Sequence, residues 1–366
     1  MEKNSYEVQA RYSDHSYWTW TERVQGMQSL FTQEKFISAN EWKCRNMCQY
    51  FDTPRPHSSI FLLHYVEPDL PSKENPVLFV HGAGHSAEKS WRPELILQVG
   101  RVGRPVFAVT FAHPHGDNLF QAVQLHNAIR RILELTNGDR VDLVAHSKGG
   151  IVAWTFLAGW GAPWGALPHG LVDKYFMLGT PNRGLDYPFR HVSPNWWVKY
   201  QNTSAPVSCD SMLWYGHYID TTEHSLYEGG AFPGLSQLLF RWDDTFPVHI
   251  IADTLYFGGQ NWLMHSKGIE GAIQDGGNYM EKLLQSPVEQ DLELHVLAGN
   301  LPIIQGWWTE WDGPSDGLVF VESVLDTDGL TNDLTQVKRK TVLPLNHLDL
   351  LYHPTAHDWV LEGLLH

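Results

Sequence analysis

Cysteine is scarce in this 366-residue chain: Cys44, Cys48 and Cys209 are the whole complement, which excludes a disulfide framework and leaves room for one bridge at most. Cys44 and Cys48 can share a helix face, but no His or Cys pair at zinc spacing accompanies them, so ordinary packing or a single disulfide is the expected use. Basic residues are also few. Lys and Arg number 26 against 41 Asp and Glu, a formal charge of −15, and they are scattered along the chain, which argues against a nucleic-acid partner because phosphates would be repelled over the whole surface. No apolar run approaches the length of a membrane span. Met1 to Asp14 is polar with no apolar leader core, so the chain as written is expected in the cytoplasm, or outside the cell if a leader has been removed. Internal repeats and low-complexity tracts are absent, and 43% hydrophobic against 18% charged residues supplies a large core rather than extended disorder.

What is present is punctuated in a regular way. Pro76 to Val80 and Pro105 to Phe111 are short apolar runs that break into turn residues, and both predict buried strands. Leu125, Ala128, Ile129, Ile132 and Leu135 recur at helical spacing and stop at Asn137-Gly138. Val141 to Ala145 predicts a third strand and Ile151 to Leu157 a buried helix after Gly149-Gly150. Lys174 to Leu178, Leu292 to Ala298 and Val337 to Leu343 are further strands, and a last helix is expected from about Ala356 to Leu365. Alternation of strand and helix implies a mostly parallel central sheet flanked by helices, an α/β architecture. The core is expected to begin near residue 75. Residues 1–70 are expected as an N-terminal extension packed on a catalytic domain of residues 71–366, interrupted by an aromatic-rich insertion at about 185–288. That insertion carries Trp196, Trp197, Trp214, Tyr215, Trp242 and Trp262, which serve either as a cap or lid over an apolar cleft or as the filling of a second small core.

The central motif is Ala145-His146-Ser147-Lys148-Gly149, set between a predicted strand and a predicted helix. A sharp strand-to-helix turn presents the intervening Ser at its exposed tip, and the two backbones crowd so closely that only small residues fit two positions before and after it. Ala145 and Gly149 meet that demand, and Ser147 is the candidate nucleophile. Attack by a hydroxyl on a carbonyl creates an oxyanion that needs preorganised N–H donors. The amide of Lys148, at a helix N-terminus, is one candidate. The amide of Ala83, in the His81-Gly82-Ala83-Gly84 turn after the first core strand, is the other. His146, beside the nucleophile, is expected as a packed support residue.

These segments, from Asn75-Pro76-Val77 through Gly84 and from Val141 through Gly150, together with Leu178-Gly179-Thr180-Pro181-Asn182-Arg183-Gly184, resemble the bacterial true lipases, and the Ala-x-Ser-x-Gly variant resembles the subgroup typified by small Bacillus lipases. The resemblance covers about half the chain and implies the α/β-hydrolase fold and a serine esterase with its triad in the order Ser, acid, His. Ser315-Asp316-Gly317-Leu318-Val319, after a predicted strand, is similar to the lipase acid loop and makes Asp316 the candidate acid, with Asp312 the alternative. Asn346-His347-Leu348-Asp349, after the last predicted strand, is similar to the lipase histidine loop and makes His347 the candidate base, with His353 and His357 its rivals. The resemblance also implies a structural Ca²⁺ near that loop in some relatives. Asp349 matches one ligand, but the rest of the site is not evident and the metal stays unassigned. Asp326-Thr327-Asp328-Gly329 lacks the spacing of a calcium loop and is expected as an acidic turn.

The expected activity is hydrolysis of a small-molecule or lipid ester of hydrophobic character through an acyl-enzyme, without an organic cofactor and with transient contact at a lipid interface. A polyester depolymerase or a lactone hydrolase would use the same triad. A catalytically silent α/β-hydrolase serving as a binding module would be expected to lack one of the three residues, and here all three positions are filled.

Overall fold

The computed structural model describes residues 5–14, 16–43, 45–66, 74–160, 170–196, 205–288, 291–310 and 312–366. Its centre is a nine-stranded sheet built from β1 (Tyr6–Ser13), β2 (Trp20–Gly26), β3 (Ile60–Tyr65), β4 (Val77–Val80), β5 (Val106–Phe111), β6 (Val141–His146), β7 (Val172–Leu178), β12 (Glu293–Gly299) and β15 (Val337–Leu343). The spatial order is β1-β2-β3-β5-β4-β6-β7-β12-β15. From β5 to β15 every pairing is parallel, while β1, β2 and β3 join antiparallel. The sheet therefore starts well before Pro76, where the first core strand was expected. The signal was local: Tyr6, Val8, Ala10 and Tyr12 of β1 turn inward while Glu7, Gln9, Arg11 and Ser13 are exposed, an alternation of period two.

The central strands are apolar throughout because both their faces are covered. Leu78, Val80, Leu143, Ala145, Tyr175 and Met177 pack on one side with Ala128, Ile129 and Ile132 of the helix Asn118–Thr136 and Ile151, Val152 and Trp154 of the helix Lys148–Ala158. Val77, Phe79, Val144, Phe176 and Leu297 face the other side, against Leu95, Ile96 and Val99 of the helix Pro93–Arg101 and Trp359, Val360 and Leu364 of the helix Pro354–Leu365. The helix 118–136 begins where Asp117 accepts from the amides of Leu119 and Phe120 and ends at Asn137 in the left-handed conformation, φ 52°, the stop read from Asn137-Gly138.

The described residues between 185 and 288 form a small sheet and two small cores of their own, while Leu238, Tyr279, Met280, Leu283 and Val288 pack into the central core. β8 (Ser211–Trp214), β9 (His217–Asp220), β10 (Gly259–Gln260) and β11 (Met264–Ser266) form a small antiparallel sheet in the order β10-β11-β8-β9. Small cores form around Val207, Cys209, Met212 and Met264 and around Phe189, Tyr227, Phe232 and Tyr256. Trp242 is buried against Phe246 and Phe320, whereas Tyr215 and Trp262 are exposed, so the aromatics divide between filling and surface. Trp197 lies outside the described residues. Beyond β12 a two-stranded hairpin, β13 (Ile303–Ile304) and β14 (Trp307–Trp308), precedes the acid loop. Cys48 and Cys209 are free thiols; Cys44 lies outside the described residues. Among the described residues no helix is long and apolar enough to cross a membrane.

At the N-terminal end of β6, Asp142 is fully buried and ion-paired with Arg104, which also donates to Asn75 O at 3.0 Å and Leu364 O at 2.9 Å. The pair fastens the C-terminal helix to the sheet. Arg104→Met leaves a buried carboxylate without its cation and is expected to cost about 3–5 kcal/mol, read from urea denaturation. Specific activity of the folded fraction should persist, because Ser147 sits at the opposite end of the strand; an unchanged midpoint would refute the argument.

Candidate active site

In a parallel sheet all the strand ends of one kind lie along one rim, and the loops that follow them meet there. The β6–helix turn brings Ser147 to that rim with φ 54° and ψ −129°, a conformation that costs strain in a non-glycine residue. The start of the helix crowds the end of the neighbouring strand β4: a Cβ on Gly149 would lie 2.5 Å from His81 O and 2.8 Å from Val80 O. The next loops along the rim deliver Asp316 and His347. His347 Nδ1 donates to Asp316 Oδ2 at 2.7 Å, and the His347 amide donates to Asp316 O at 2.8 Å. Asp316 Oδ1 accepts from the amides of Leu318 and Val319 at 3.0 and 2.9 Å. Both side chains are buried, Asp316 completely. These bonds fix the carboxylate plane, and the carboxylate in turn fixes the imidazole.

His146 ties His347 to the turn that carries Ser147. Its Nε2 donates to His347 O at 3.0 Å and its ring centroid lies 4.7 Å from that of His347. Burial, and then the proximity of His347, hold it well below the usual imidazole range. Among the described residues no hydrogen bond joins the Ser147 hydroxyl to His347; such contacts are often loose before substrate binds. The alternatives are engaged elsewhere. Asp312 pairs with Arg190 at 2.9 Å, His353 caps the last helix through the Thr355 amide, and His357 Nε2 donates to Leu351 O at 2.8 Å.

The Ala83 turn is held from both sides. His81 Nδ1 donates to Gly82 O at 2.8 Å, and its Nε2 accepts from the Phe111 amide at 3.2 Å. The Gly84 amide donates to Pro114 O at 2.9 Å. Among the described residues the amides of Ala83 and Lys148 donate to no backbone or side-chain group, which leaves both for a ligand. Gly179, directly after β7, lies beneath Asp316 and His347. Its φ is +57°, and a Cβ there would sit 3.1 Å from His347 Nδ1 and 3.2 Å from Asp316 Oδ2. The sequence signal was its place at the end of a strand adjoining the nucleophile strand.

Among the described residues no three His, Cys, Asp or Glu side chains converge as a metal site would need. Asp349, the one matched Ca²⁺ ligand, opens the short helix Asp349–Tyr352.

Buried histidines dominate the electrostatics. Burial holds His81, His85 and His113 down at about 3, His64, His126 and His295 at about 4, and His115 and His146 well below the ordinary value. A histidine depressed in the folded state contributes stability that is complete above its unfolded pKa, about 6.5, and is lost as pH falls towards the folded value. Burial also raises the carboxyls Glu34, Asp142 and Asp186, which act in the opposite sense but are fewer. The urea midpoint is therefore expected to fall steeply between pH 7 and pH 5, with net proton uptake on unfolding; a midpoint flat over that range would contradict it.

Residues 74–181 match the model of the family Lipase (class 2). Among solved structures the chain is similar to the Bacillus licheniformis lipase BlEst2 in its mature form, at 18% identity and a TM-score of 0.47 over 81% of this chain and 94% of that one. It is similar also to the esterase RhEst1 from Rhodococcus sp. ECU1013, at 12% identity and 0.44 over 84% and 94%. The naproxen esterase of Bacillus subtilis matches at 12% identity and 0.41 over 84% and 88%. The class 2 lipase segment supplies strands β4 to β7 and the turn that carries Ser147, and that match supports a carboxylic-ester hydrolase of the lipase and esterase kind.

Proposed function

We propose that this enzyme hydrolyses a hydrophobic carboxylic ester through a Ser147–His347–Asp316 triad and an acyl-enzyme. The observation that carries the reading is the 2.7 Å contact of His347 with Asp316, fastened through His146 to the turn that presents Ser147. His347 Nε2 takes the Ser147 proton as Oγ attacks the ester carbon, and the oxyanion is met by the amides of Ala83 and Lys148. The carbonyl re-forms, the C–O bond breaks, and the alcohol leaves with the proton held by His347. Water, deprotonated by the same imidazole, then releases the acid and restores Ser147. No organic cofactor enters these steps.

The hydrophobic preference and a transient contact with lipid rest on the insertion, where Tyr215 and Trp262 are 82% and 74% exposed, an arrangement suited to an apolar interface. The insertion closing over the cleft as a lid belongs to the same reading. A series of p-nitrophenyl acetate, butyrate and palmitate tests it. Turnover rising with chain length is expected. Activity confined to acetate would remove the lipase character, and inactivity on all three would leave a binding module of the same fold as the better account.

A further inference from the structure

The side chain of Lys148 runs from the nucleophile turn into a polar seam contributed by three distant parts of the chain. It is 1% exposed, and its ammonium donates to Gln121 Oε1. Gln121 donates onward to His113 O at 2.8 Å. The Lys148 Cε lies against Gly234, in the Phe232–Gln237 turn of the insertion, where any side chain would collide with it. That turn is tied to the same seam: Gly234 N donates to His115 O at 3.0 Å, Asn118 Nδ2 donates to Gly234 O at 3.1 Å, and Gln237 Nε2 donates to Asp117 Oδ2 at 2.6 Å. Glu34, from the segment between β2 and β3, accepts from the Asp117 amide at 2.7 Å.

A fully buried ammonium is expensive, several kcal/mol after relaxation, and a methionine would occupy a similar volume without that cost. Among the described residues no carboxylate lies within ion-pair distance of Lys148; Glu34 and Asp117 act on it only through their field. The group that gains from a positive charge here is the negative charge that develops at the amide of this same residue.

We propose that the Lys148 side chain is a positioning residue for the oxyanion hole: it fastens the amide that meets the oxyanion to the docked Phe232–Gln237 turn and places a positive charge behind it. The inference rests on Ser147 being the nucleophile. The docked insertion then becomes part of the transition-state environment and not merely a cover. The groups that face Lys148 are Glu34, Asp117 and the neutral His81, His113 and His115. Burial draws Lys148 down to about 7, against the field of Glu34 and Asp117, and burial pushes Glu34 up to about 8. As pH rises Lys148 loses its positive charge and Glu34 gains a negative one beside Asp117, so the seam grows more negative and kcat acquires a falling alkaline limb.

The test compares wild type, Lys148→Met, Glu34→Gln and Ser147→Ala on p-nitrophenyl butyrate from pH 6 to 9, with inhibition by n-butylboronic acid as a probe of the tetrahedral state. Lys148→Met is expected to lower kcat about 10- to 100-fold, below the loss typical of removing an oxyanion donor itself, with KM within about twofold, boronic acid inhibition weakened in parallel, and the alkaline limb gone. Glu34→Gln, which leaves Lys148 in place, is expected to change the limb by removing the negative charge that Glu34 adds at alkaline pH, and it covers the case in which Lys148→Met does not fold. Wild-type kcat and pH profile in Lys148→Met, an unmoved limb in Glu34→Gln, or a lower kcat with unchanged boronic acid affinity would each overturn the proposal while an inactive Ser147→Ala keeps the ester-hydrolase reading. An active Ser147→Ala would overturn that reading itself.

Discussion

Ser147→Ala is expected to lower kcat on p-nitrophenyl butyrate by about 10⁶-fold, the scale of losing the nucleophile from a serine-hydrolase triad, with the thermal midpoint close to that of wild type. The conformational argument makes the substitution safe. Alanine has the same backbone freedom as serine, so the strained φ of 54° at the turn is neither relieved nor aggravated. The Ser147 amide still donates to Leu178 O at 2.9 Å, and the Ser147 carbonyl still accepts from the Gly150 amide at 2.9 Å. The hydroxyl removed has no bond to His347, so no buried partner is orphaned. What remains is the oxyanion site and substrate binding, which alone sustain a small residue of catalysis over water, on the order of 10³–10⁴. Circular dichroism and burst-phase kinetics on the purified variant decide it. Activity near that of wild type in a folded Ser147→Ala would exclude Ser147 as nucleophile.

Asp316→Asn is expected to lower kcat by about 10⁴-fold at neutral pH with the fold retained. The reason lies in which oxygen does what. Oδ1 is claimed by two backbone amides, Leu318 and Val319, while Oδ2 accepts from His347. An asparagine must keep its oxygen towards the two amides, so its NH₂ faces His347 Nδ1. That nitrogen then has to accept, the imidazole proton moves to Nε2, and the ring is in the wrong tautomer to take a proton from Ser147. Asp312→Asn, measured alongside, is expected to leave kcat within a few-fold of wild type because Asp312 serves Arg190. A large loss in Asp312→Asn with none in Asp316→Asn would exchange their roles.

Local pattern was enough for the middle of the molecule. The six strands read from apolar runs appear within a residue or two of their expected limits, the central ones because a strand covered on both faces must be largely apolar; the helices around Ile129 and Ile151 begin earlier than their apolar positions, at Asn118 and Lys148. β1, β2 and β3 were all missed: β1 alternates buried or half-buried with exposed positions, β2 mixes Thr, Glu, Arg and Gln with its apolar residues, and β3, Ile60–Tyr65, is an apolar run of the same kind as those that were read. β8 to β11 are two to four residues long, too short for any period to register.

The sequence by itself marked the elbow around Ser147, through small residues at Ala145 and Gly149 between an apolar run and a helix, although the backbone that crowds Gly149 is that of Val80 and His81 at the end of β4. It also nominated Asp316 and His347 through similar loops, but only the tertiary structure set His347 against Asp316, His146 beneath His347, and Gly179 below the pair. The same holds for Lys148. Its amide was legible because a helix N-terminus is a local property, whereas its side chain meets Gln121 and Gly234, within the field of Glu34 and Asp117, only because the tertiary structure brings the N-terminal segment and the insertion to one rim. Spacing along the chain encodes contacts within a turn or a strand; contacts between segments a hundred residues apart depend on strand order and packing, which no local pattern contains.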